Sequence, residues 1–194
     1  MRSILLIIFI TLPWLVTAQQ REKLETVNPI YSEYLPVENG LITYSEVVQV
    51  ENISKDDLFI RANSWIVKTF NSAKDVIQYN DKEAGKIICK TVTGATVGRG
   101  LNRVTIDPVY YLLQIEVREG RYRISATEFI HEYTVPLSNT TGENRLEQYY
   151  LLKNPTKREA DQNIAVAQII QEKVMNVFSS AETSIANYAS NDDW

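Results

Sequence analysis

Two segments of the chain repeat apolar side chains at the three- and four-residue spacing of an amphipathic helix. The first predicted helix begins at Ser54, because Ser54-Lys-Asp-Asp57 has the pattern of a capping box and Ile53 can pack on Leu58. Its apolar positions are Leu58, Phe59, Ala62, Trp65, Ile66 and Phe70. The second predicted helix runs from residue 155 to about residue 188, behind a capping box at 156–159. Its apolar positions are Ile164, Ala167, Ile170, Val174, Val177, Phe178, Ala181 and Ile185.

Between these helices the apolar pattern is that of β-strands. Segments rich in Val, Ile, Tyr and Thr predict strands at 42–51, 75–79, 86–92, 109–117 and 122–133. Residues 93–100 contain three glycines and predict a flexible loop, and residues 139–142 predict another loop. The predicted fold is therefore α+β, with about five antiparallel strands in the order β-α-β-β-β-β-α, a helix packed on one face and a long C-terminal helix.

The hairpin made by the last two strands predicts which side chains share a face. A two-residue turn at Glu119-Gly120 fixes its register and places Glu116 opposite Arg123, a favourable cross-strand pair. Every second residue then faces the core, among them Tyr111, Leu113, Ile115, Val117, Tyr122, Ile124 and Ala126.

The outer face of this hairpin is the candidate contact surface for a ligand or a partner. Its candidate site residues are Tyr110, Leu112, Gln114, Arg123 and Phe129. In the predicted register Tyr110 lies opposite Phe129, and exposed aromatic rings beside polar donors can form a binding surface. The alternative is that residues 135–154 or the long helix cover this face.

The first 18 residues have the three parts of an export signal. Arg2 is positive, residues 4–16 are almost wholly apolar, and small or medium side chains at 16–18 precede a polar stretch. The apolar run is shorter than the roughly 20 residues that cross a bilayer, and no cysteine follows it to carry a lipid. We therefore expect cleavage between Ala18 and Gln19 and a periplasmic or secreted product without a stable membrane anchor.

These patterns divide the chain into three parts. Residues 1–18 are a predicted signal peptide, 19–40 an extended lead-in, and 41–190 a single α+β domain. Within that domain we expect a core at 42–133, a loop at 134–154 and the helix at 155–188.

Composition narrows the classes of partner. The sequence has 20 Lys and Arg against 24 Asp and Glu, which gives a net charge of −4. Affinity for nucleic acid comes largely from Lys and Arg that neutralise phosphates, so this balance argues against a nucleic-acid partner. Cys89 is the only cysteine, which excludes an intramolecular disulfide, and its strand setting predicts a buried, inert thiol.

The central part of the chain resembles a known family. The residues that carry the resemblance are 47–50, 54–58, Arg61, Ala62, Trp65, Phe70, 76–79 and 81–88. Over about residues 42–133 this string resembles an uncharacterised domain family described as having a TATA-binding-protein-like fold, whose members are mostly exported proteins of Gram-negative bacteria. The resemblance implies a helix packed on a curved antiparallel sheet. It implies no functional residues, because the family has no known activity, and a fold does not by itself imply DNA binding.

The residues that could carry chemistry form no evident catalytic or cofactor site. His131, the only histidine, would have to meet Cys89 to form a nucleophile–base dyad, but the predicted register places His131 on the outer face. A zinc site built on these two residues is short of ligands unless carboxylates complete it. The glycines at 94–100 lack the Lys-Ser/Thr ending of a phosphate-binding loop. We therefore predict neither a cofactor nor a metal.

The leading hypothesis is a non-enzymatic exported module, in the periplasm or at the cell surface. It would bind a protein or a small ligand through its sheet face or its long C-terminal helix. One alternative is a glycan-directed hydrolase that uses Glu128 and Glu132, because glycosidases act through a pair of carboxylates. Another alternative is a structural protein of the cell envelope.

Overall fold

The computed structural model describes residues 28, 30–135, 138–150 and 155–186. The predicted signal peptide, with its cleavage site between Ala18 and Gln19, lies outside the described residues. So do residues 19–27 and 29 of the predicted lead-in, residues 136, 137 and 151–154 of the predicted loop 134–154, and the end of the predicted C-terminal helix beyond residue 186.

The described chain contains the predicted helices and strands together with further short elements, and residues 75 and 76 of the predicted strand 75–79 are helical. In chain order the elements are β1 (Val37–Glu38), β2 (Leu41–Ile42), β3 (Tyr44–Gln49), α1 (Lys55–Thr69), α2 (Ala73–Val76), β4 (Ile77–Asp81), β5 (Lys86–Val97), a 3₁₀ turn (Gly100–Asn102), β6 (Val104–Arg118), β7 (Arg121–Val135), β8 (Thr140–Arg145), α3 (Leu146–Tyr150) and α4 (Lys157–Ile185).

Six of these strands form one antiparallel sheet. Its order is β3-β7-β6-β5-β4, and β8 also pairs with β7. Strand β3 pairs with residues 121–126 of β7, whereas β8 pairs with residues 130–135, so β3 and β8 lie one after the other along the same edge of β7. Strands β1 and β2 form a separate two-stranded sheet. The predicted α+β fold, with a mostly antiparallel sheet and a long C-terminal helix, is confirmed.

Both long helices begin at the predicted caps. The Ser54 hydroxyl accepts a hydrogen bond from the backbone N–H of Asp57 at 3.0 Å and ends the extended segment before α1. At α4 the capping box is complete, because the Thr156 side chain accepts from the backbone of Glu159 while the Glu159 carboxylate accepts from the Thr156 N–H. Each cap satisfies backbone donors that the first turn of a helix leaves free.

One face of the sheet packs against α1 and α4 and forms the core. The predicted apolar stripe of α1 is buried from Leu58 to Ile66, and six of the eight predicted positions of α4 are buried, namely Ala167, Ile170, Val174, Phe178, Ala181 and Ile185. The two helices also contact each other, since the Trp65 indole N–H donates to the Ser180 hydroxyl at 3.1 Å. The C-terminal helix is therefore part of the core of the domain.

Two segments predicted as loops are strands. Strand β5 continues through Gly94 to Val97, where we predicted the flexible loop 93–100. Gly94 is required there because a Cβ would lie 2.6 Å from the Asp107 carboxylate on the neighbouring strand. The polar segment Thr140–Arg145, which lies within the predicted loop 134–154, is the edge strand β8, and Leu146–Tyr150 of the same predicted loop is the helix α3.

A bulge in β7 changes the predicted register after Thr127. Leu112 pairs with Thr127, but Tyr110 pairs with Ile130, so Glu128 and Phe129 together stand opposite one residue of β6. Glu128 has a φ of 55°, in the left-handed region. Because the bulge adds one residue, every side chain after Glu128 points to the face opposite to the one predicted.

Candidate ligand-binding face

The face of the sheet that turns away from α1 and α4 is called here the outer face. It carries the side chains of Val47, Tyr79, Ile88, Lys90, Val92, Tyr110, Leu112, Gln114, Glu116, Arg123, Ser125, Thr127 and Ile130. Val92 is 58% exposed, Val47 53% and Tyr79 44%. On β6 and β7 the core-facing residues between Val109 and Ala126 are buried. Among the described residues, α3 of the predicted covering segment packs its Leu146 and Tyr150 into the core and leaves the outer face open.

A row of alternating charges crosses the outer face near the β6–β7 turn. Glu116 accepts a hydrogen bond from Arg123 Nε at 2.9 Å, as the predicted cross-strand pair requires, and its other oxygen lies 3.9 Å from Lys86 Nζ. The Arg123 guanidinium holds the pKa of Glu116 below its usual value, against partial desolvation. On β4, Asp81 lies opposite Lys86, and a backbone N–H from Ala84 lowers the pKa of Asp81. Each carboxylate of the row therefore lies beside at least one positive side chain: Glu116 beside Arg123 and Lys86, and Asp81 opposite Lys86.

At the other end of the outer face, Tyr110 lines a cavity of about 350 Å³. The cavity lies between the edge of β5 and the segment around α2, and its walls are Phe70, Asp75, Val76, Lys90, Thr91, Val92, Tyr110 and Glu132. Lys90 Nζ lies 4.8 Å from the centre of the Tyr110 ring, a cation–π contact that holds the two side chains together. We call this cavity the Tyr110 pocket. Four of its eight lining residues are apolar or aromatic, and Asp75, Lys90 and Glu132 add charged groups.

Four of the five predicted site residues lie on the outer face, and one does not. Tyr110, Leu112, Gln114 and Arg123 are half-exposed or exposed there. The prediction for Phe129 is wrong: its side chain is fully buried on the core face, where it stacks on Tyr111 with ring centres 5.1 Å apart. The bulge at Glu128 causes this reversal, so Tyr110 stands opposite Ile130 instead.

The comparisons with known proteins agree with this architecture. Residues 44–132 match the family model described as a domain of unknown function (DUF4468) with TBP-like fold. These residues form a DUF4468 domain. No curated protein matches the chain.

Two solved structures share the fold of this DUF4468 domain. A TBP-like protein from Parabacteroides distasonis aligns with a TM-score of 0.55 and 19% identity, over 78% of this chain and 99% of its own. A DUF4468 family protein from Bacteroides ovatus aligns with a TM-score of 0.61 and 13% identity, over 87% of this chain and 96% of its own. At these identities the likeness shows the fold alone.

The bulge also moves the only histidine of the DUF4468 domain to the core face. His131 pairs with Val109, and its Nδ1 lies 3.4 Å from the Tyr149 hydroxyl of α3. Burial lowers the pKa of His131, partly opposed by Asp107. The predicted position of His131 on the outer face is therefore wrong.

The candidate catalytic residues are not brought together in the DUF4468 domain. Cys89 and His131 are separated by the intervening strand β6, and burial raises the pKa of the Cys89 thiol to about 11, which keeps it protonated near neutral pH. Glu128 lies in the bulge, while Glu132 lines the Tyr110 pocket and stands opposite Glu143 of β8.

Within the described ranges no cluster of three or more His, Cys, Asp or Glu residues has the geometry to hold a metal ion. In the same part of the chain no helix is long and apolar enough to cross a membrane.

Sequence reasoning missed the walls of the Tyr110 pocket that come from β5 and α2. Lys90 and Val92 point outward because β5 alternates, with Ile87 and Cys89 inward, and they stand beside Leu112 and Tyr110 of β6. The alternation was visible in the sequence of the DUF4468 domain, but the register between β5 and β6 was not. Phe70, by contrast, is predicted as the last apolar position of α1, and only the fold shows that it lines a pocket.

Proposed function

We propose that this protein is an exported, non-enzymatic binding module that engages its ligand through the outer face of the sheet. The observation that carries the proposal is the Tyr110 pocket, a cavity of about 350 Å³ on the face that neither α1 nor α4 covers. Its volume lies within the range of about 300–1,000 Å³ typical of small-molecule sites.

The geometry favours the sheet face over the C-terminal helix as the binding surface. The apolar side chains of α4 are used in the core, where Val166, Ile170 and Phe178 are buried. Polar side chains of the same helix hold surface segments of the domain, as when Lys173 Nζ donates to the Gly94 carbonyl at 2.6 Å. The length of α4 is thus explained by packing, and a partner is not needed to account for it.

The proposal is tested by site-specific photocrosslinking in the producing cell. A photoreactive side chain at Val92 or Leu112 reports contacts at the outer face, and one at Val67 is the matched control, because Val67 is 62% exposed in a groove on α1. We expect adducts from positions 92 and 112 and none from position 67. Adducts from position 67 alone, or equal yields at all three positions, would overturn the outer face as the binding surface.

A second measurement tests export separately. The proposed periplasmic or secreted location rests on the pattern of residues 1–18, so N-terminal sequencing of the mature protein should return Gln19 as the first residue. Recovery of Met1 from the extracytoplasmic fraction would contradict cleavage, and recovery of the protein only from the cytoplasm would contradict export.

A further inference from the structure

Three arginines gather at the end of the outer face that lies farthest from the Tyr110 pocket. Arg118 and Arg121 flank the Glu119-Gly120 turn and stand directly opposite each other, and Arg123 follows two residues later on the same face. With Val47, Glu116 and Tyr122 they line a recess of about 210 Å³. We call this the arginine recess.

The charges of Arg118 and Arg121 are left without a partner among the described residues. Glu116 is engaged by Arg123 and Lys86, and the carboxylate nearest in sequence, Glu119, accepts from the backbone N–H of Lys55 at 3.0 Å. Two like charges directly opposite each other in an antiparallel pair are destabilising. The chain as a whole is acidic, with a net charge of −4, so an unneutralised pair of arginines is not a consequence of its composition.

The arginine recess has the size and chemistry for one anionic group. Its volume is below the range of about 300–1,000 Å³ that encloses a whole drug-sized ligand, so it holds a group and leaves the rest of the ligand on the open face. Guanidinium groups present a planar fork of donors that matches phosphate and carboxylate oxygens. Glu116 already neutralises Arg123 and orients its guanidinium through two hydrogen bonds, which leaves two positive charges, those of Arg118 and Arg121.

We propose that the arginine recess binds a phosphate group of the ligand, with Arg118 and Arg121 as its direct donors and Arg123 as a third donor held in place by Glu116. A phosphate monoester carries about 1.5 to 2 negative charges at neutral pH, which matches the two unpaired guanidinium groups, whereas a carboxylate carries one. This inference rests on the proposed function, because it assumes that the outer face binds a ligand, and it specifies the chemistry of one end of that ligand.

Titration of the mature protein with inorganic phosphate tests the site, with binding followed by the amide chemical shifts of residues 116–123. We expect saturable shifts in the wild type and binding at least about tenfold weaker in Arg118→Gln and in Arg121→Gln, because each removes a charge-assisted hydrogen bond. Arg103→Gln is the matched control, since it removes an exposed arginine at the opposite end of β6 and should leave the affinity unchanged. No shifts in the wild type, or equal weakening by Arg103→Gln, would overturn the phosphate site.

The stability of the free protein gives a readout that does not depend on the ligand. Relief of the like-charge repulsion should raise the melting temperature of Arg121→Gln by about 1–3 °C in the absence of phosphate, and added phosphate should raise that of the wild type by more than that of the variant. A fall in the melting temperature of Arg121→Gln without phosphate would show that the arginine is structural and would contradict the proposal.

A vesicle experiment distinguishes the two sources of such a phosphate. Phosphatidylcholine vesicles that contain one-fifth phosphatidic acid present the group on a lipid, and wild type and Arg118→Gln are compared in co-sedimentation. Arginine-dependent sedimentation indicates a lipid headgroup, and phosphate binding without sedimentation indicates a soluble phosphoester; either result supports the site. If crosslinking occurs at positions 92 and 112 while neither phosphate nor vesicles bind, the outer face stands as the binding surface and the phosphate assignment fails.

Discussion

The two faces of strands β6 and β7 are made by alternate residues of the same segments, yet they differ in almost every property. On the core face Tyr111, Leu113, Ile115 and Val117 are buried in the core that the sheet forms with the two long helices. On the outer face Tyr110, Leu112, Gln114 and Glu116 remain partly accessible and include polar and charged groups. We infer from this difference that the contacts that stabilise the fold lie mainly on the core face of the sheet. The other side is free to carry residues that fit a ligand.

The sharpest test of this division compares the two aromatic residues that the sequence placed together. Phe129→Ala should lower the free energy of unfolding by about 3–5 kcal/mol, because it removes a fully buried ring from the core. Tyr110→Ala should lower it by less than about 1.5 kcal/mol, because the ring is partly in water already. Urea unfolding followed by tryptophan fluorescence measures both. Similar losses for the two variants would mean that the outer face is not open.

A buried carboxylate on the core side provides the next test. Glu147 is 4% exposed, and its Oε1 accepts from the backbone N–H of Ile42 at 2.8 Å, which holds α3 against β2. Glu147→Leu leaves that buried N–H without an acceptor and should cost about 1–3 kcal/mol in unfolding free energy. Glu147→Gln keeps an acceptor oxygen and should cost less. Equal losses for the two variants would show that this hydrogen bond contributes nothing to stability.

Deletion of the extra residue in the β7 bulge should have a smaller effect on the free energy of unfolding. Deletion of Glu128 removes the extra residue and the positive φ while Phe129 stays on the core face, so we expect a folded protein that loses less than about 1.5 kcal/mol. Deletion of Ser125 is the control, because it would turn Ala126 outward and Thr127 inward. Urea unfolding of the two deletion variants measures both free energies, and we expect the larger loss from deletion of Ser125. A greater loss from deletion of Glu128 would mean that the bulge is needed for more than register.

The smallest expected effect concerns the ion pair on the outer face. Because Arg123 depresses the pKa of Glu116, the pair stabilises the fold above the unfolded-state pKa of about 4.3, and this contribution is lost as pH falls through the lower folded-state value. An NMR titration should therefore find Glu116 below the usual range in the wild type and closer to it in Arg123→Gln. An unchanged Glu116 pKa in that variant would show that Arg123 is not its cause.

Much of the fold can be predicted from local patterns in the sequence. The caps at Ser54 and Thr156 fix where the two long helices begin, and the Glu119-Gly120 turn fixes the register of β6 and β7 as far as Thr127. Gly120 has a φ of 67°, the conformation that such a turn needs and that glycine supplies without strain. Four of the five candidate site residues follow correctly from that one register.

The rest depends on contacts that local patterns do not contain. The sequence has no glycine at the bulge around Glu128. Strict alternation would place both Glu128 and Glu132 on the core face, and two carboxylates on an apolar face indicate a register shift. Strand β8 is a polar edge strand, so it lacks the alternation that predicts a strand. The Tyr110 pocket is built from α2, β5 and β6, whose mutual placement is a property of the whole sheet.

The packing of α4 has a consequence for when this chain can fold. Hydrogen bonds link Arg61 to Ile185 and Trp65 to Ser180, across 124 and 115 residues of sequence, and Ile42 to Glu147 across 105. Contacts between residues so distant along the chain form slowly. The nascent polypeptide cannot pack α1 against α4 until the segment that carries Ser180 has left the ribosome. The side of the core that contains the two helices therefore forms only after α4 has been synthesised.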